Sequence, residues 1–160
     1  MKRLLISLAV LMIAAPAHAQ NAGQIARVRG GASCAGCNLF QGDFSGLEAR
    51  GLNLRGSRLR QADLSLSVMN RTDFSNADLR DVEAYGAVFS SSNFHGANLT
   101  NASFVGVYLD GSNFAGATLT GVNFSGASLS GVRGMTQARL NQACGDEATR
   151  LPAGLTIRRC

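Results

Sequence analysis

The sequence predicts an all-β solenoid, a chain wound in short steps around one narrow core, and three observations predict it. An aliphatic or aromatic residue returns at every fifth position, a small residue stands two places ahead of most of these, and glycine collects in the intervals. The first series runs through Leu54, Leu59, Leu64, Met69, Phe74, Leu79, Ala84, Phe89, Phe94, Leu99, Phe104, Leu109, Phe114, Leu119, Phe124 and Leu129. Backwards it reaches Ala49, Phe44, Leu39 and Cys34, so twenty pentads follow in one register. The second series includes Ala62, Ala77, Ala87, Ala97, Ala102, Ala117 and Ala127, with Ser57, Ser92 and Ser112 as variants. Two residues apart on an extended backbone, the members of each pair point to the same side. Glycines such as Gly56, Gly86, Gly106 and Gly126 let the chain turn between pairs. A helix repeats about every 3.6 residues and a flat strand every two, so neither fits this spacing.

The steps Ala77-Asp78-Leu79, Ala97-Asn98-Leu99 and Ser112-Asn113-Phe114 resemble the pentapeptide-repeat family, whose motif is A(D/N)Lxx. The resemblance covers residues 32–131. It implies a right-handed quadrilateral β-helix of four pentads per coil, with residues twenty apart stacked on one face. About five such coils, at about 4.8 Å per layer, make a rod about 24 Å tall. Burying each Leu or Phe is worth about 1.5–3 kcal/mol, a ladder of tens of kcal/mol that chain entropy largely offsets. Departures from the motif look compensated. Leu47 is large but its partner Ala49 is small, and Val82 with Ala84 repeats the exchange, as a close-packed interior requires.

Ahead of the repeat, Lys2 and Arg3 precede an apolar run from Leu4 to Ala15, then Pro16 and the small-residue ending Ala17-His18-Ala19. This is the layout of a cleaved secretory signal over 1–19, with cleavage between Ala19 and Gln20. The run is shorter than the roughly 20 residues that span a bilayer, so no stable membrane insertion is expected after cleavage. A periplasmic or secreted location in a bacterium follows. Residues 20–31 form an N-terminal segment to which the sequence assigns no element. Beyond the repeat, 132–160 reads as a cap and tail. Thr136 is placed to cap a short helix running through Cys144, with Leu140 and Ala143 facing the last coil and Gly145 ending it.

Four cysteines stand at the two ends of the exported chain, Cys34 with Cys37 and Cys144 with Cys160. An oxidising compartment preserves disulfides, and a Cys144–Cys160 bond would hold the cap in place. Cys34 and Cys37 both fall in inward slots, as a staple or as packed thiols. A thiol redox enzyme is the rival reading of their C-x-x-C spacing, but such motifs use a helix N-terminus that lowers one thiol's pKa, and none is predicted beside them.

Removing Lys2 and Arg3 lowers the formal charge from +5 to +3. The remaining arginines interleave with acids, a mixed-sign surface that gives no reason to expect nucleic acid. His95 points outward with no Cys, Asp or Glu at ligand spacing. Asp43, Asp63 and Glu83 form an outward ladder that Arg60 and Arg80 are placed to neutralise, so ion pairing is expected there rather than a metal. No glycine loop introduces a helix to hold phosphate, and no serine has a base partner. No catalytic, cofactor-binding or metal-ligating residue is identified.

One outward feature stands apart. Val68, Val88 and Tyr108 fall on one outward column, with Leu66, Tyr85 and Val105 around the adjoining corner, where other outward positions are mainly polar. Contiguous exposed apolar residues mark partner surfaces. The expectation is a non-catalytic binding or scaffolding protein whose rigid face takes another protein or a second copy of itself. The family resemblance alone implies a rival, a DNA mimic that inhibits or protects DNA gyrase. That role needs a strongly acidic surface and access to the cytoplasm, neither of which this sequence offers.

Overall fold

A computed structural model describes residues 20–160. The expected signal segment, including Ala19, lies outside the described residues. Each pentad is one strand-like step and one corner. The corner begins at the central residue, whose carbonyl accepts the amide three residues on, as from Ser57 to Leu54 at 3.1 Å and from Ala62 to Leu59 at 2.8 Å. The third residue of the turn takes a positive φ, 63° at Gly56 and 67° at Gly126. That is the type II pattern, and it explains the glycines in the intervals. Asp or Asn before the central residue closes the same corner from outside. Its side-chain oxygen accepts the amide two residues on, as Asp63 does from Ser65 at 2.9 Å, Asn123 from Ser125 at 2.9 Å and Asn53 from Arg55 at 3.1 Å. The residue types of the motif thus follow from local hydrogen bonding as well as burial.

Parallel bridges join residues twenty apart, for example Asn53 to Asp73 to Asn93 to Asn113. Four pentads therefore make one circuit, and backbone amides bond between circuits, Leu54 N to Asp73 O at 2.9 Å and Asp73 N to Leu52 O at 2.8 Å. The central residues from Leu54 to Leu129 are buried, as are nearly all of the small ones that precede them. Phe74, Phe94 and Phe114 stack up one column with ring centroids 5.0 and 4.9 Å apart. Volume exchange holds the packing together. Val82 and Ala84 are both buried, and Leu47 with Ala49 packs partly buried against the core. At Gly42 a Cβ would sit 2.5 Å from the Phe44 ring, which occupies the missing side chain's space.

Helix α1, Ala22–Arg29, closes the first coil. Asn21 caps it by accepting the Gln24 amide at 3.1 Å. Val28 is fully buried and Ile25 packs beside it. The helix region also supplies hydrogen-bond partners to part of the edge of the first coil. Gln24 accepts from the Asn38 amide at 2.6 Å, Gln20 donates to the Gln41 carbonyl at 2.8 Å, and Arg29 donates to the Asp43 carbonyl. This is how a solenoid end avoids presenting a free edge.

The C-terminal helix is shorter than the sequence predicts. Thr136 is the N-cap, but α2 covers only Gln137–Leu140, and Cys144–Gly145 form strand β1 instead of the helix end. The last coil captures the chain. Cys144 donates its amide to Val122 O at 2.9 Å and accepts from Phe124 N at 2.8 Å, two ladder bonds that continued helix would leave unmade. Leu140 and Ala143 are fully buried, and Ala143 joins the core of the coils. Strand β2, Arg158–Arg159, then pairs parallel with β1, Cys144 opposite Arg158. A Cys144–Cys160 disulfide ties the two segments across a sequence separation of 16.

Candidate interaction surface

The repeat presents four outward columns, each built from the residues just before the central positions. Three carry Asp or Asn in most coils. The fourth runs Glu48, Val68, Val88, Tyr108, Ser128 through successive bridges and contains neither. Valine has no acceptor, so at two consecutive coils this column gives up the bond that closes corners elsewhere, and Tyr108 carries its hydroxyl far from the backbone. The polar members Glu48 and Ser128 bound the apolar stretch below and above.

Around the adjoining corner stand Leu66, Tyr85 and Val105. Leu66 is 62% exposed, Tyr85 57% and Tyr108 52%, the three large apolar side chains left open among the described residues. Val68, Val88 and Val105 are half-buried. The structure thus brings together all six residues singled out from the sequence. Leu66 occupies the positive-φ position of its turn, at 58°, where Gln, Arg, Asn, Asp, Ser or glycine stands in other pentads. Its Cδ2 lies 3.1 Å from where a Cβ on Gly86 would be, so the leucine lies over that glycine. Gly106 stacks above Gly86, and the pair leaves a smooth strip beside Tyr85 and Val105.

Carboxylates frame this surface. Glu48 bridges directly to Val68, Asp63 to Glu83, and Glu83 stands two residues before Tyr85; Asp110 stands two residues after Tyr108. None is in an ion pair among the described residues. The ion pairs are Arg29–Asp43, Arg60–Asp81, Arg80–Asp78 and Arg159–Glu147. The expected neutralisation of the Asp43–Asp63–Glu83 ladder by Arg60 and Arg80 therefore does not occur. Arg80 turns to Asp78 on its own pentad, with contacts of 2.7 and 2.6 Å, and Arg60 reaches Asp81 at 3.2 Å. Only Asp43 at the ladder's foot is paired, by Arg29 of α1. From the sequence Asp63 and Glu83 are members of an outward ladder, and none of the four carboxylates is set beside the apolar stripe. The twenty-residue register was the signal that places them there.

The remaining candidates are structural. Cys34 and Cys37 are bonded, their Cα atoms 5.5 Å apart, and the helix that precedes them approaches through its C-terminal end, not its N-terminus. His95 is exposed. At the cap an open cleft of about 440 Å³ is lined by Ser125, Gly145, Asp146, Glu147, Ala148, Arg159 and Cys160. Its Asp146 carboxylate is occupied by the Gly126, Ala148 and Thr149 donors. Among the described residues no cluster of His, Cys, Asp and Glu could hold a metal ion, and no helix is long and apolar enough to cross a membrane.

A coil of four pentads with outward Asp and Asn and inward Leu and Phe defines a β-solenoid repeat protein. The chain belongs to the pentapeptide-repeat family, whose model, Pentapeptide repeats, matches it in eight copies over residues 32–71, 50–82, 67–106 and 97–133. Proteins of this family are typically structural or binding proteins rather than enzymes, and their fold is the right-handed quadrilateral β-helix. Among solved structures the chain is similar to HetL, a pentapeptide repeat protein involved in heterocyst differentiation regulation in the cyanobacterium Nostoc sp. strain PCC 7120. The identity is 22% and the TM-score 0.56, over 72% of this chain and 56% of HetL. The chain thus spans little more than half of HetL's length, and the likeness is one of fold. It is also similar to QnrB1, a plasmid-mediated fluoroquinolone resistance protein, at 22% identity and a TM-score of 0.48 over 79% of this chain and 76% of that one. A pentapeptide repeat protein of the Arabidopsis thaliana thylakoid lumen matches at 21% identity and a TM-score of 0.31, over 78% and 61% of the two chains. No curated protein matches the chain.

Proposed function

We propose that this chain is an exported, non-catalytic binding protein, a rod of about five coils closed by a helical cap, that recognises another protein through the face built on Val68, Val88 and Tyr108. One observation carries the reading. On that face alone, consecutive coils replace the Asp or Asn that would close their corners with apolar residues, and Leu66, Tyr85 and Tyr108 beside them stay exposed. A rigid, pre-formed face loses little ordering entropy on binding, and tyrosine is common where binding energy concentrates. Export is supported by the layout of residues 1–19 and by the two disulfides.

The test is capture from an envelope extract with the protein and with a Val88→Glu, Tyr108→Glu variant of unchanged circular dichroism. Partners retained by the parent and lost by the variant are expected, and the mass of the bait purified from the envelope is expected to begin at Gln20. Equal retention by both proteins would remove the face from the mechanism. A bait that stays in the cytoplasm at full length would remove export.

A further inference from the structure

The apolar stripe is small, and what surrounds it carries more information than its own side chains. Its central residues sit on three successive layers about 4.8 Å apart, and the rim at those layers and the one below holds Glu48, Asp63, Glu83 and Asp110 against Arg50, which stands two residues after Glu48. Elsewhere on the molecule Asp43, Asp78, Asp81 and Glu147 meet arginine, and Asp73 and Asp146 are held by amide and hydroxyl donors. Arginine is not scarce: thirteen remain after Gln20, eight by Arg80 and five from Arg133 onward. Between Asp81 and Val132 there is none, while Asp81, Glu83 and Asp110 fall in that interval. The upper part of the stripe, Tyr85, Val88, Val105 and Tyr108, therefore lies in an arginine-free, acidic stretch of a chain whose two ends are basic.

We infer that the occupant of this face is a cationic and apolar segment of another protein, one that sets Arg or Lys against the carboxylate rim and aliphatic or aromatic side chains against Val68, Val88 and Tyr108. The inference rests on the proposed binding role of the stripe and adds its chemistry. A second copy of this chain is a poor occupant. A two-fold pairing of stripes would lay the rim carboxylates of one copy against those of the other, and like charges across an interface are strongly unfavourable. Four arginines at the chain's own ends are engaged as well. Arg29 bonds to Asp43, Arg139 to the Gly134 carbonyl at 2.7 Å, Arg158 to the Ala143 carbonyl at 3.1 Å, and Arg159 to Glu147. A neutral apolar segment would fill the stripe but leave four carboxylates beside it without a counter-charge. A cationic one satisfies both, and its approach is steered by the arginine-free acidic stretch around Tyr85 and Tyr108.

The experiment is selection of phage-displayed random dodecapeptides on the immobilised, disulfide-bonded protein, with counter-selection on the folded Val88→Glu, Tyr108→Glu variant. The enriched peptides are expected to combine net positive charge with aliphatic or aromatic residues. As synthetic peptides they should bind the parent at least about tenfold more tightly than the counter-selection variant. They should lose about three- to tenfold in affinity on Glu48→Gln, Glu83→Gln, and weaken as salt rises from about 0.05 to about 0.5 M. Enriched peptides that are neutral or acidic, or whose binding ignores both the glutamine substitutions and salt, would overturn the inference while leaving the stripe a binding face. A failure to enrich any peptide that separates parent from variant would sink the binding role itself. A dimer in sedimentation equilibrium that Val88→Glu, Tyr108→Glu dissolves would assign the face to a second copy.

Discussion

Leu66 combines two disfavoured features in one residue. A left-handed backbone costs a leucine about 1–2 kcal/mol relative to glycine, and this side chain remains 62% exposed, so little burial is returned. At the same place in their turns Gln41, Gln61, Asn76 and Asn101 present polar side chains, and most other pentads use glycine. Strain of this kind gathers where a function holds it in place. Leu66→Gly is therefore expected to raise the unfolding free energy by about 1 kcal/mol, reduced by the extra freedom glycine gives the unfolded chain. The same change should weaken binding at the stripe. Urea denaturation checks the first effect. A loss of stability would instead make Leu66 a structural cover over Gly86 and remove the argument from strain.

At the level of elements, the two ends are held by different means. The cap has little strength of its own: α2 has four residues and β2 two exposed ones, well below what an isolated helix or hairpin needs. The Cys144–Cys160 bond closes a long enough loop to contribute about 3 kcal/mol, whereas the short Cys34–Cys37 loop restrains the unfolded chain much less. Cys144→Ser, Cys160→Ser should therefore release residues from about 150 onward to limited proteolysis and lower the melting temperature, while Cys34→Ser, Cys37→Ser should leave both nearly unchanged. Equal effects at the two ends would show that loop closure does not set the cap's stability. The ends were also the least legible parts of the sequence. Every pentad announces itself through its buried pair, so the register from Cys34 to Leu129 and the columns of the stripe are legible in the sequence alone. Helix α1 has one buried residue, Val28, too little to raise a period. β1 exists because the edge of the last coil offers Val122 O and Phe124 N, a tertiary demand that no local pattern around Cys144 records. The pairing of Arg80 with Asp78 was missed for a related reason: register fixes the column of a long side chain, not the direction in which it turns.

Across the whole molecule, stability is a sum over coils and the contacts between them, and the acidic residues are not spread evenly through that sum. Asp78 is held below the ordinary 3.8, first by the Arg80 guanidinium that bonds to it and further by the Arg80 amide. Asp43 is lowered by the Ser45 hydroxyl and amide and by Arg29, and Asp146 by the Gly126 amide and then by Thr149 and Ala148. A carboxyl whose folded pKa lies below its unfolded value stabilises the protein at every pH above that unfolded value. It loses the contribution as pH falls through the folded one. These three groups lie in the lower coils and in the cap. The middle coils close their corners with Asn93, Asn98, Asn113 and Asn123, whose amides make the same bond and do not titrate, over a continuous phenylalanine stack from Phe74 to Phe124. Acid should therefore open the rod from its ends. Amide exchange measured between about pH 5 and about pH 3 is expected to show protection falling first over residues 38–80 and 144–160, with residues 89–128 the last to exchange. Asp78→Asn should flatten the pH dependence of the lower coils while lowering their stability at neutral pH through loss of the Arg80 pair. Protection that falls uniformly along the chain would mean that the coils are coupled too tightly for local titration to matter, and the rod would then open as a single unit.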